Sequence, residues 1–372
     1  MKGVAWLRNP ESRGKVAAFL LLGIAVVWSV FRICRSFYIL FASSNDLYTY
    51  YSIWTVMGYR DLADIALRQS LYLPHTWLVL TPLFIFGWVV ARVLMLLLNV
   101  ASVAYICWRL ARLTGLDGIK QWLLPAFFCG WLGTGLVIGL GNLALVCLAA
   151  MLAAYPFDSA GRQGFLALSA MKQSLVFPVY LRLLLKRPKT LILPFAVFGI
   201  CGIAALVWAR LSPSAAFQMA RGAMASVGGW TQYDYLCLRR VVAPFIRSPV
   251  AASAVSWGIW FALFAVVLRM KDSVCQFAAM MVLSLLPLYH NAYDVVAAAP
   301  AMAVFLRRCR LVWPALMTVL LAMNVLTPLV RYAPGPLHPA MAALEFAYYP
   351  LILLWFVGAL IWLDQCERKL PI

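Results

Sequence analysis

The residues of this chain best able to do chemistry are few and far apart. Asp46 stands in the run Ser43-Ser44-Asn45-Asp46-Leu47-Tyr48-Thr49-Tyr50-Tyr51, where a carboxylate among aromatic rings can take a proton from a hydroxyl. Asp is also a favoured helix N-cap, and Asp46 opens the helical-looking stretch 47–59, so local spacing by itself favours the cap. In His290-Asn291-Ala292-Tyr293-Asp294 a His and an Asp stand four residues apart. That spacing lets them meet each other or an anionic ligand on one helical face; a polar turn capped by Asn or Asp is the plain alternative. Lys172 is a strongly hydrated cation inside an apolar run, too far from either end for easy snorkelling. Arg239 and Arg240, near Trp230, Tyr233 and Tyr235, suit a phosphate or simply lipid headgroups. Arg32 and Arg35 read as snorkelling side chains.

Two motif matches carry nothing. Gly139-Leu140-Gly141-Asn142-Leu143-Ala144 fits a dinucleotide fingerprint but follows no strand of a βαβ unit. Gly135 and Gly139 fit a small-xxx-small pattern, which reports close helix packing at most. There is no phosphate loop, HExxH or GxSxG.

The elements that hold these residues follow from composition. Hydrophobic residues make up 65% of the 372, and charged ones 12%, against about 45–50% and about 25% in soluble domains. Such a chain cannot cover a water-facing globule, and continuous apolar segments argue for spanning helices over a β-barrel. The net charge of +19 gathers in short clusters between those segments, such as Lys186, Arg187 and Lys189, or Arg307, Arg308 and Arg310. That is the positive-inside pattern and gives no basis for nucleic-acid binding. The nine cysteines include no CxxC pair and read as small buried residues. Cys237 alone falls in an outer loop.

The expected fold is an all-α polytopic membrane protein, one domain over 1–372, with about ten full transmembrane helices. The first span covers Val16 to Ile39, and outer loops cover 43–86 and 212–250. The short run Trp77 to Phe86 lies at the outer leaflet. A hairpin is formed by Gln121–Leu140 and Asn142–Tyr155. The segment 164–186, with basic flanks on both sides, reads as a re-entrant hairpin with Lys172 near its tip. Both termini fall on the cytoplasmic side of a bacterial inner (plasma) membrane.

The order of these features resembles glycosyltransferase family 87, the polyprenyl-phosphate-mannose-dependent mannosyltransferases of the GT-C fold. It is carried by Asp46 after the first span, Tyr72-Leu73-Pro74-His75 before Thr81-Pro82-Leu83, the Gly-Leu-Gly-Asn142 turn, Lys172-Gln173, and the run from His290 to Asp294. Leu73, Leu140 and Gln173 stand where the family often has Pro, Gln and Pro. The resemblance implies an inverting transfer of a sugar, mannose by family expectation, from a polyprenyl-monophosphate donor without a metal or other cofactor. Acceptors would be a glycolipid, a lipid-linked oligosaccharide or a polysaccharide, met on the periplasmic or exterior face. It makes Asp46 the general base and gives the leaving phosphate to Lys172 and His290, with Arg239 or Arg240 closing over it. Asp294 would orient His290 or itself be the base; Tyr293, Tyr72, Asn142 and Arg68 would support the site or bind sugar and acceptor. A transporter or lipid flippase, which an intramembrane Lys172 also suits, is the main alternative, and a purely structural scaffold the next.

Overall fold

Apolar runs with no strand-like alternation fold as helices, and the described residues contain no strand. The computed structural model describes residues 10–42, 46–56, 74–210, 212, 214, 217, 236–246, 248–288, 290–322, 335 and 337–369. In chain order the helices are α1 (Pro10–Ala42), α2 (Asp46–Val56), α3 (Pro74–Phe84), α4 (Trp88–Thr114), α5 (Gly118–Gly130), α6 (Leu132–Leu140), α7 (Ala144–Ala154) and α8 (Ala160–Ser169). Then follow α9 (Gln173–Lys186), α10 (Ile192–Trp208), α11 (Pro249–Leu268), α12 (Ser273–Leu283), α13 (Ala299–Arg308), α14 (Val312–Ala322) and α15 (His338–Lys369). Short 3-10 turns occupy Ala170–Lys172 and Ala292–Ala298, and one helical turn occupies Arg239–Val242.

Among the described residues six helical runs are long and apolar enough to cross a bilayer, or seven if the bent pair α5–α6 is one span. These fit a multi-pass membrane protein. Their outer faces carry bare apolar side chains such as Phe19, Ile24 and Val27 on α1 and Ile200, Ile203 and Val207 on α10, as lipid contact requires. Other apolar segments expected to span fold shorter. α7 and α12 have 11 residues each and α13 has 10; at about 1.5 Å per residue each covers roughly half of a 30 Å hydrocarbon core. The cause is local: the Gly141–Asn142 turn starts α7 late, and turns over 284–287 and 3-10 backbone over Ala292–Ala298 lie between α12 and α13.

The re-entrant hairpin expected at 164–186 is not formed. Gly161–Lys186 is one 26-residue helical run, interrupted only by the 3-10 turn Ala170–Lys172, so its basic flanks lie at opposite ends. Two short half-helices would have left their own apolar faces unpaired. Instead α8 packs on α7 and α10, and α9 on α12.

α1 crosses α5 and α6, where small residues permit close approach: a Cβ on Gly139 would lie 3.2 Å from Ile39 and one on Gly135 3.0 Å from Ser36 Oγ. The small-xxx-small pair therefore does report packing. The 60° bend between α5 and α6 frees carbonyls that must be satisfied internally. Ser29 Oγ donates to Ala126 O at 2.5 Å, Trp28 Nε1 to Gly130 O at 2.9 Å, and Thr134 Oγ1 to Phe128 O at 2.7 Å. Arg32 does not simply snorkel. Its guanidinium donates to Ala322 O at 2.5 Å and lies over the Trp28 ring. Arg35 is exposed.

At the N-terminus of α12, Asp272 accepts from Cys275 N–H and from Arg308 Nη2, both at 2.6 Å. Partial burial pushes its carboxyl up, but the Cys275 N–H and the Arg308 guanidinium outweigh that and hold it below the ordinary 3.8. All nine cysteines are free thiols, and Cys237 is buried with its thiol toward Pro287 O.

Candidate functional site

The breaks in the helices converge on one polar cluster. Asp46 begins α2, Asn142 sits in the turn that opens α7, Lys172 ends the 3-10 turn that opens α9, and His290, Tyr293 and Asp294 lie on the segment leading into α13. Two of these segments, at Asn142 and at Lys172, thus bring a helix N-terminus, whose unpaired N–H groups favour negative charge. The 292–298 turn packs on both α6 and α7. Gly141 lies at φ 65°, and a Cβ there would fall 2.6 Å from Leu47 Cβ. Only a glycine lets the turn sit directly on α2 and face Asn142 to Asp46.

The contacts form a continuous chain. Asn142 Nδ2 donates to Asp46 Oδ2 at 2.6 Å and lies 3.4 Å from the Tyr50 hydroxyl. Asn142 Oδ1 accepts from Ala144 N–H at 2.9 Å and from Lys172 Nζ at 3.1 Å. Lys172 Nζ also pairs with Asp294 Oδ1 at 2.5 Å and stands 4.7 Å from the centre of the Tyr293 ring. His290 Nδ1 lies 3.0 Å from Asp294 Oδ2, and Nε2 lies 3.0 Å from Ser284 O. Tyr293 donates to Asp46 and accepts from Asn291 Nδ2 at 2.7 Å.

Exposure divides the cluster. His290 is 0% exposed, Asp294 2% and Lys172 7%, whereas Asp46 is only partly buried. Asp46 is therefore the least enclosed charged member, backed by a buried layer in which a lysine and an aspartate neutralise each other. Such an arrangement can take a proton from a group arriving at Asp46. Among the described residues no group of three or more His, Cys, Asp or Glu converges as a metal site.

Six residues picked out in the sequence, Asp46, Asn142, Lys172, His290, Tyr293 and Asp294, thus meet in space. Arg239 is half-buried and Arg240 buried, on the helical turn Arg239–Val242. Their helical turn packs on α11 and α15 and is tied to the neighbouring segment by Leu238 N–H donating to Leu286 O at 2.9 Å. Tyr72 and Arg68 lie outside the described residues. Tyr50, Asn291 and the Ser284 carbonyl were not singled out by sequence. Tyr50 stands four residues after Asp46, the one spacing signal that pointed to it. Comparison with family models, with curated proteins and with solved structures finds no match.

Proposed function

We propose that this chain is an integral-membrane glycosyltransferase with a GT-C-like bundle. It moves a sugar, mannose by the family resemblance, from a polyprenyl-monophosphate donor to an acceptor hydroxyl at the outer face of a bacterial inner membrane. The observation that carries the reading is the partly buried Asp46 carboxylate, held by Asn142 and Tyr293. Asp46 takes the acceptor's proton as its oxygen attacks the anomeric carbon. The bond from that carbon to the phosphate oxygen breaks, polyprenyl phosphate leaves and the configuration inverts. The lipid anchors the donor at one depth, so the protein need only orient sugar and acceptor. Lys172 and His290, the cations that the resemblance gives to the phosphate, are turned into the protein. Arg239, which is half-buried, is better suited to the leaving charge.

Purified protein in nanodiscs, given labelled polyprenyl-phosphate-mannose or a labelled nucleotide sugar with total membrane lipid extract, tests the class. Transfer is expected from the lipid donor alone; no transfer from either refutes the reading. The buried Lys172–Asp294 pair beside a helix break also suits a transporter or lipid flippase. Lipid or solute movement that persists in Asp46→Asn, without transfer by the wild type, would favour that alternative.

A further inference from the structure

We propose that Lys172 is a positioning residue that holds Asp46 through the Asn142 amide and makes no contact with the donor phosphate; this rests on the glycosyltransferase reading above. The orientation of the amide is decided by its neighbours. Oδ1 faces Ala144 N–H at 2.9 Å and Lys172 Nζ at 3.1 Å, and both groups only donate. Turning the amide over would set its NH2 against two donors, so Nδ2 must face Asp46, as it does at 2.6 Å. Without Lys172 the amide oxygen loses the ammonium that helps fix its orientation, and the grip of the amide on Asp46 weakens.

The ammonium is already engaged by the protein: it pairs with Asp294 Oδ1 at 2.5 Å, donates to Asn142 Oδ1 at 3.1 Å and stands 4.7 Å from the centre of the Tyr293 ring. The residue is 7% exposed, at the join where the 3-10 turn ends and α9 begins at Gln173. A phosphate could reach the ammonium only by displacing a buried carboxylate or the amide. Asp294 and His290 then have the task of neutralising Lys172 and keeping its partner fixed.

The test separates kcat from the KM for the lipid donor in nanodiscs, using Lys172→Met, the charge-neutral Lys172→Met/Asp294→Asn and Asn142→Ala. Size-exclusion profiles and melting establish folding, and the neutral double variant stands in where the single one fails to fold. Positioning predicts that all three lower kcat by about ten- to a hundredfold, the span of one charge-assisted hydrogen bond, and leave donor KM unchanged within about twofold. The acidic limb of the pH–rate profile moves to higher pH, because a carboxylate that loses a donor holds its proton more readily. A donor KM raised about tenfold or more in the Lys172 variants, with kcat retained, would make Lys172 a phosphate ligand and overturn the proposal. Carbodiimide labelling of Asp46, read by mass spectrometry, needs no substrate and so stands even if the wild type proves inactive. Faster labelling in Asn142→Ala and in the double variant supports the proposal, and unchanged labelling overturns it.

Discussion

Replacing Lys172 by Met removes one partner of a buried ion pair and leaves the other in place. Asp294 is 2% exposed and loses a contact of 2.5 Å, while Asn142 Oδ1 loses one of its two donors. Breaking a buried pair in this way costs about 3–5 kcal/mol. His290 Nδ1 still faces Asp294 Oδ2, which sets the expected loss at the lower end, about 3 kcal/mol. Lys172→Met/Asp294→Asn removes both charges, and a coupling of about 0.5–3 kcal/mol should recover part of that loss. Reversible unfolding by SDS titration in mixed micelles, run on both single variants and the double, closes the cycle. A Lys172→Met protein within about 1 kcal/mol of wild type, or strictly additive losses in the double, would refute a buried compensating pair.

Further outcomes follow from the same contacts. Gly141→Ala forces a side chain onto a positive φ, worth about 1–2 kcal/mol, and drives its Cβ against Leu47; SDS titration should show at least that loss, with transfer reduced as the turn leaves Asp46. Gly133→Ala places a Cβ 2.5 Å from Val295 Cγ1 and 3.1 Å from Tyr293 O. It should lower kcat by displacing Tyr293 and Asp294, and an unchanged kcat would show that this packing does not position the site. Asp272 has a folded carboxyl held below its ordinary 3.8, so its stabilisation is complete above that value and is lost as pH falls through the lowered one. Melting of the wild type should therefore fall across that acidic window, and Asp272→Asn should flatten the fall.

The sequence carried the class of the fold because a bilayer leaves few choices. Apolar composition and helical segments of membrane length require each other, and α1 (Pro10–Ala42) contains the expected first span Val16 to Ile39. It did not carry the break points. Gly161–Lys186 stays one run and α5–α6 bends by 60° because neighbouring side chains, not local propensity, decide whether freed carbonyls find donors. Ser29, Trp28 and Thr134 supply those donors at the bend, two of them from a helix about a hundred residues away. In the cluster, the His290–Asp294 pair was legible from its spacing of four, and Asp46 from its place after the first span. The link through Asn142 was not. It joins residues separated by 96 and by 30 positions, and only a glycine at positive φ beside the Asn hinted at a shaped turn.

Transfer by Asp46→Asn set beside the wild type, in the same nanodiscs and with the same labelled polyprenyl-phosphate-mannose, tests the central claim most directly. The substitution keeps the shape of the side chain and removes its capacity to take a proton. With melting and size-exclusion profiles matched, the account predicts transfer by the wild type and a loss of about a hundredfold or more in the variant. Equal transfer by both would contradict Asp46 as the base and move that role to Asp294 or His290.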